Sequence, residues 1–267
     1  MTALTDGLAD GWIIARRNVI RTRRAPDVLL LTLLQPIMFV LLFAYVFGGS
    51  IKVPGVNYRE YLMAGIFVQT VAFGSSMTGA GLAADLQTGV MDRFRSMPMS
   101  RAAVLLGRTT SDLLGNLVTV LAMALCGLLV GWRTHTGLGQ VAAGLGLLLL
   151  FAYAMSWISA TIGLTVRSPE VSQTAGFLLL FPLTFVSNVF VAGDTLPSGL
   201  RPVADWNPIS TVTLALRDLW GNAPAGPARG AGVPAEHPAL VSLAWIAVIL
   251  AVFLPLAVDR FRRAARR

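Results

Sequence analysis

The chain alternates six long apolar stretches with shorter polar segments. None of the apolar stretches contains Asp, Glu, Lys or Arg, and they cover about residues 28–47, 61–84, 113–131, 139–166, 171–193 and 238–258. A helix rises about 1.5 Å per residue, so each stretch is long enough to cross a hydrocarbon core of roughly 30 Å. Because lipid offers no hydrogen-bond partners, the backbone of such a stretch pairs within itself as a helix. The pattern predicts an all-α integral membrane protein with six transmembrane helices.

The segment before the first apolar stretch, residues 6–25, has its own helical pattern. Leu8, Trp12, Ala15 and Val19 recur on one face, and arginines occupy the opposite face. This arrangement is typical of an amphipathic helix in the headgroup plane, with its arginines near anionic lipid. A solvated basic segment without a membrane role is the alternative.

Residues 85–97 link the second and third apolar stretches and also have an apolar helical face. That face is formed by Leu86, Val90, Phe94 and Met97. Pro98 then ends the predicted helix, and Ser100 caps the next one. A short amphipathic helix held between two spans either lies on the bilayer surface or enters a groove of a partner protein, with Phe94 as the anchor. The residues by themselves leave both roles open.

The segment 194–222 precedes the last apolar stretch and predicts one or two short helices. Asn207 is a suitable helix cap and Pro208 suits the first helical position. The apolar positions that follow at helical spacing are Ile209, Val212, Leu216 and Leu219. We expect these helices to fold back onto the outer leaflet, either as a lid over an exit path or as a surface loop.

The arginines predict the orientation. If the N-terminus is inside, 15 of the 21 basic residues lie on the inner side of the six spans. Basic residues near the ends of spans stay cytoplasmic. Both termini are therefore expected in the cytoplasm, and residues 1–267 form a single membrane domain.

Composition agrees with this organisation and excludes several classes of protein. Hydrophobic residues make up 55% of the chain and charged residues 13%, with a mean hydropathy of +0.69. A soluble domain carries roughly twice that share of charges. The net charge of +8 does not indicate nucleic-acid binding, because the basic residues flank apolar stretches instead of gathering on a soluble face.

The residue types that carry chemistry are too few or misplaced for an enzyme. The only lysine, Lys52, lies in an outer loop, so the chain has no Walker A site for ATP. Cys126, His135 and His237 are too isolated for a disulfide framework, a metal site or a catalytic triad. The apolar stretches also lack the ionisable residues of proton- or sodium-coupled carriers. Uphill transport by this chain would need energy from a separate motor, and no cofactor is expected in the chain itself.

Several of these segments resemble one known family. The strings NYREYLMAGI, LQTGVMDRFRSMPMSR and the spaced elements LP, NPIS and LRDL, together with the basic N-terminal helix, extend over nearly the whole chain. They resemble the ABC-2 type transporter permeases, in particular the daunorubicin and doxorubicin resistance permeases of actinobacteria.

The resemblance implies a subunit of six helices in the bacterial plasma membrane, paired with a second permease subunit as a homodimer. Each subunit would dock residues 85–97, as a coupling helix, on a separate ATPase subunit that binds ATP and Mg. The residues that this implies for coupling are Asp85, Leu86, Val90, Arg93, Phe94, Arg95 and Met97. Closure of the ATPase pair would then switch a central cavity from inward to outward exposure.

The second and fifth spans tend to line the path in such families. Here they contain Phe67, Gln69, Thr70, Phe73, Ser75 and Ser76, and Phe181, Phe185, Ser187 and Asn188. Aromatic rings with a few hydroxyls and amides suit an amphipathic, ring-containing cargo such as a drug, an antibiotic or another natural product. They suit helix packing equally well. Export of a lipid or lipid-linked glycan, and a passive channel, are the competing functions.

Overall fold

The structure, a computed structural model, describes residues 26–47, 53–88, 101–166, 168–190 and 196–264. The predicted interfacial helix (6–25) and residues 89–97 of the predicted coupling helix lie outside these ranges. The described helices are α1 (Pro26–Leu42, continued by a π-helical turn Phe43–Phe47), α2 (Tyr58–Gln87), α3 (Arg101–Val130), α4 (Leu138–Gly163), α5 (Pro169–Phe185), α6 (Arg201–Trp206), α7 (Pro208–Trp220), α8 (Val233–Glu236) and α9 (Pro238–Ala264).

Local sequence explains where several of these helices begin and end. The side chains of Asn57, Ser168 and Asn207 cap α2, α5 and α7 by accepting a hydrogen bond from a backbone N–H of the first turn. The predicted cap at Asn207 and the proline after it are thereby confirmed. Gly221, with φ of 74°, ends α7 in the left-handed conformation that glycine adopts without strain.

Four described helices are long and apolar enough to span a membrane. Their spanning portions are Tyr58–Gln87, Gly107–Val130, Leu138–Gly163 and Pro238–Arg263. The prediction of an all-helical protein is confirmed for the described residues, which form no sheet beyond an isolated bridge between Val53 and Val56. The first and fifth apolar stretches are helical but shorter, and α5 ends at Phe185, well before the predicted end at residue 193.

Helix α2 is the centre of the bundle and packs against α3, α4, α5 and α7. Small residues bring α2 and α4 into close contact. A side chain at Gly79 would overlap the Ser159 carbonyl oxygen, and one at Gly163 would overlap Gly79. The Ser159 hydroxyl donates to the Ser76 carbonyl oxygen at 3.0 Å and accepts from the Gly79 N–H at 3.0 Å. Close backbone approach and interhelical hydrogen bonds are the interactions that hold helices together in lipid.

The bundle has two different ends. At one end, helices α6, α7 and α8 lie over the start of α2 and the start of α9; we call this the capped end. The other end carries Arg108 and the last turns of α9 with Arg262 and Arg263; we call this the basic end. Phe261 of α9 belongs there to a buried apolar cluster that also includes Leu82 of α2, Leu105 of α3 and Trp157 of α4.

Candidate functional site

The chain continues beyond α5 without helical structure over residues 186–190, a segment we call the α5 extension. Its carbonyl groups, and those of the last turn of α5, lack their usual helical partners. The Asn207 side-chain amide donates to two of them, the carbonyl oxygens of Leu183 and Val186, both at 2.7 Å. The same side chain caps α7 through its oxygen. Asn207 therefore joins the end of one helix to the start of another.

Arg217 of α7 donates hydrogen bonds to further carbonyl groups of the α5 extension. Its side chain has no exposed surface. Its Nη2 donates to the carbonyl oxygens of Asn188 at 3.0 Å and Val189 at 3.1 Å, and its Nε donates to that of Tyr61 at 2.9 Å. Burial lowers the pKa of Arg217 from its ordinary value. No carboxylate among the described residues pairs with this cation, so carbonyl dipoles and the Tyr61 ring stabilise its charge.

Two tyrosines at the start of α2 complete the network around the α5 extension. The Tyr61 hydroxyl donates to the Asn188 carbonyl oxygen at 3.0 Å, and the Tyr58 hydroxyl donates to that of Phe190 at 3.2 Å. Gly65 allows the approach, because a side chain there would overlap the Val189 carbonyl oxygen. Buried backbone carbonyl groups outside a helix need hydrogen-bond donors from elsewhere in the protein. Side chains from α2 and α7 provide these donors for the α5 extension.

The sequence analysis did not identify Arg217 as a functional residue. It included Arg217 only as part of the LRDL element of the family resemblance and treated Asn207 only as a cap. A signal was present, because Ser210, Thr213 and Arg217 recur at helical spacing and all three are buried. A polar stripe on the buried face of an amphipathic helix indicates bonding to another segment.

An ion pair between Arg229 and Asp218 holds the capped end together. Arg229 donates from Nη1 and Nη2 to the two carboxylate oxygens of Asp218, at 2.7 and 2.6 Å, and from Nε to the Ala235 carbonyl oxygen. The bond to Asp218 raises the pKa of Arg229. This bidentate pair ties the end of α7 to the Gly- and Pro-rich segment before α9.

At the basic end, a charged cluster joins α2 to α3. Arg108 Nη1 donates to Asp85 Oδ2 at 3.1 Å, and Arg108 Nε lies 3.5 Å from Asp112 Oδ2. The guanidinium of Arg108 lies against Gly81, where any side chain would overlap it. The ends of α2 and α3 are therefore held together where the 89–100 connection leaves and returns.

The predicted coupling helix begins at this charged cluster, with Asp85. Asp85 and Leu86 lie in the last turns of α2, which continues to Gln87 without a break. The other residues assigned to coupling lie outside the described residues; they are Val90, Arg93, Phe94, Arg95 and Met97. Their contact with a motor subunit stays a prediction.

The residues predicted to line a transport path fall into two groups. Phe67 belongs to the bundle core, where its ring centroid is 5.5 Å from Trp132 and 5.3 Å from Trp220, and Gln69 is also buried. Thr70 is half-buried. Phe73 packs on Phe177 of α5 at 5.2 Å.

Helix α5 presents the more exposed aromatic residues. Phe181 and Phe185 are 55% and 56% exposed, and their rings stack with centroids 4.4 Å apart. Asn188 lies in the α5 extension beside Arg217, and Ser187 is buried there. The described protomer thus brings the α5 aromatics and Phe73 to one side of the bundle and leaves Phe67 in its core.

A cavity of about 280 Å³ lies between α2, α4, α5, α9 and the start of α7. Ser75 and Ser76 of the predicted path line it, whereas the α5 aromatics do not. Most of the other lining residues are aliphatic or aromatic side chains of α4, α5 and α9. The cavity is thus distinct from the exposed aromatic face of α5.

The family match and the similar proteins both indicate one family of membrane proteins. The ABC-2 type transporter family matches residues 10–219. The chain is 33% identical to the daunorubicin resistance ABC transporter permease protein DrrB1 of Streptomyces coeruleorubidus, over 82% of this chain and 76% of that protein. It is 26% identical to the doxorubicin resistance ABC transporter permease protein DrrB of Mycobacterium tuberculosis (strain ATCC 25618 / H37Rv), over 90% of this chain and 86% of that protein.

Proposed function

Since this chain belongs to the ABC-2 type transporter family, we propose that it is the membrane-spanning permease of an ATP-driven exporter for a hydrophobic or amphipathic compound, such as a drug or antibiotic. The observation that carries the proposal is the family match over residues 10–219 together with 33% identity to a daunorubicin resistance permease. A separate cytoplasmic ATPase subunit, which binds ATP and Mg, supplies the energy.

We further propose six spans. Helix α1 and its π-helical turn together rise about 33 Å, enough to cross the hydrocarbon core. The 17 residues of α5 rise about 26 Å, and the α5 extension covers the remaining thickness. The hydrogen bonds from Asn207, Arg217 and the two tyrosines support this, because they satisfy the carbonyl groups that leave the helix.

The basic end faces the cytoplasm in this proposal, as do both termini. The cluster of Arg108, Asp85 and Asp112 supports a coupling role for the neighbouring connection, because a push on residues 89–97 would reach α2 and α3 as one unit. Residues 6–25 form an interfacial helix on the same side of the membrane.

A second copy of the chain completes the transporter. Two exposed apolar faces support this part of the proposal. One is on α5, with the stacked Phe181 and Phe185, and the other is on α1, with Met38 and Tyr45 among its exposed side chains. The rings of Phe43 and Phe190, 4.6 Å apart, connect the two faces. Cargo would pass along the α5 aromatics between the two copies.

The test is export from cells that express the chain with a candidate ATPase. We expect efflux of aromatic polyketides or macrolides that requires both proteins. Phe94→Ala combined with Arg93→Glu should abolish efflux while expression and ATPase activity persist. The control is Arg262→Glu, a charge reversal at an exposed position of the basic end.

Three results would contradict parts of the proposal. Normal efflux by the double variant would remove Phe94 and Arg93 from coupling. Transport without any ATPase would favour a passive channel. Movement of lipid or lipid-linked glycan, with no effect on drugs, would change the cargo class. Copurification of the ATPase, lost when residues 89–97 become a Gly/Ser linker, tests the docking site directly.

A further inference from the structure

The cavity described above has an opening toward the membrane that follows from how its walls pack. Helices α5 and α9 both pack on α4, but over their described lengths they make at most marginal contact with each other. Leu179 of α5 lines the cavity and is 43% exposed. The gap between α5 and α9 therefore leads from the bundle exterior, where spanning helices face lipid tails, into the cavity.

The cavity wall provides no hydrogen-bond donor to an occupant. Its three serine hydroxyls are already used: Ser75 donates to the Ala72 carbonyl oxygen, Ser76 to that of Phe73 and Ser159 to that of Ser76. The indole N–H of Trp245, the remaining side-chain donor in the wall, donates to the Trp206 carbonyl oxygen at 2.9 Å. None of the lining residues is ionisable.

This wall chemistry argues against the amphipathic cargo as the occupant. A ring-containing compound with carbonyl oxygens would bury these acceptors without a donor, which is costly in an apolar site. A hydrocarbon chain has no polar group to satisfy. Its headgroup remains outside, at the membrane surface.

The volume suits such a chain. An apolar cavity of about 150 Å³ is enough to hold benzene, which has six carbon atoms. By the same proportion the 280 Å³ here accommodates roughly eleven carbon atoms, a large part of one acyl chain.

We propose that the cavity between α2, α4, α5 and α9 binds an acyl chain of a bilayer phospholipid, which enters through the gap between α5 and α9. The bound chain packs α5 against α9 where the protein leaves them apart. It also contacts Ser76 and Ser159, whose hydrogen bond joins α2 to α4. The site is independent of which compound the protein exports.

The experiment uses the purified full-length protein in nanodiscs of phosphatidylcholine that carries a diazirine near the middle of one acyl chain. After illumination, mass spectrometry locates the modified residues. We expect adducts on lining residues such as Leu183 and Ile249. Leu179→Trp fills the entrance and should reduce these adducts about tenfold, the effect of excluding two buried methylene groups.

Leu178→Trp is the matched control, because Leu178 is the neighbouring residue of α5, is 76% exposed and does not line the cavity. It should leave the adducts unchanged. Ile249→Phe fills the opposite wall and replaces L179W if that variant is not monodisperse after purification. Adducts confined to exterior residues, or equal labelling of the filling and control variants, would overturn the proposal. Loss of the cavity adducts when micromolar cargo is added would instead assign the cavity to the cargo.

Discussion

The guanidinium carbon of Arg217 lies 3.4 Å from the centroid of the Tyr61 ring, and its Nε donates to the Tyr61 carbonyl oxygen. One residue thus receives a cation–π contact and a hydrogen bond from the same side chain. Nη2 of the same guanidinium donates to the carbonyl oxygens of Asn188 and Val189 in the α5 extension. The contact joins the start of α2, the end of α5 and the cap, so the capped end depends on it.

We expect Arg217→Met to destabilise the protein by about 3 kcal/mol, because it removes the three buried hydrogen bonds that Arg217 donates to the carbonyl oxygens of Tyr61, Asn188 and Val189. Arg217→Lys should recover only part of this, since an ammonium group cannot reproduce the planar fork. The measurement is the fraction of protein that stays monodisperse after heating in detergent. Arg262→Gln, at an exposed position, is the control and should change stability by less than about 0.5 kcal/mol.

Asn207→Asp separates the two functions of this residue. Aspartate caps a helix as well as asparagine does, but it cannot donate to the carbonyl oxygens of Leu183 and Val186 and places a negative charge beside them. We expect a loss of about 2 kcal/mol in thermal stability. Asn57→Asp is the matched control and should be neutral, because the one side-chain hydrogen bond that Asn57 makes within the described residues is accepted, from the Arg59 N–H. Equal stability of the two variants would mean that the hydrogen bonds donated by the Asn207 side-chain amide contribute nothing to the stability of the protein.

Gly163→Ala should destabilise the contact between α2 and α4, since its new methyl group overlaps the backbone of Gly79. Overpacking of this kind costs about 1–3 kcal/mol. Gly146→Ala in the same helix meets no atom within 4 Å and should be neutral or stabilising by up to about 1 kcal/mol, from helix propensity. The comparison is made by thermal unfolding of both variants in the same detergent.

Asp85→Asn weakens the connection between α2 and α3 at the basic end, because Arg108 then keeps only Asp112, at 3.5 Å. We expect a stability loss of about 1 kcal/mol and reduced export at unchanged ATPase activity. Asp259→Asn is the control, since its pair with Arg263 is largely exposed and contributes little. If both variants export normally, the cluster has no part in coupling.

The sequence by itself determined which stretches are helices. Lipid forces long uncharged stretches to pair within themselves, so hydropathy alone located α2 and α4 to within three residues at each end. Helix α3 begins 12 residues before the predicted start at residue 113, and α9 ends six residues beyond the predicted end at residue 258, because both helices continue into polar turns outside the apolar stretches. The cap at Asn207 was equally readable, because a capping side chain acts on its own first turn. Both features depend on interactions between residues close together in the chain.

Only the tertiary structure decided where α5 ends and which aromatic rings are buried. The bonds that replace its last helical turn come from Tyr61 and Arg217, which are distant in sequence. Phe67 and Phe181 lie in similarly apolar stretches, and hydropathy cannot separate a ring that packs in the core from one that faces lipid or a partner, since both environments are apolar. That difference is set by how the helices pack, which no local pattern encodes.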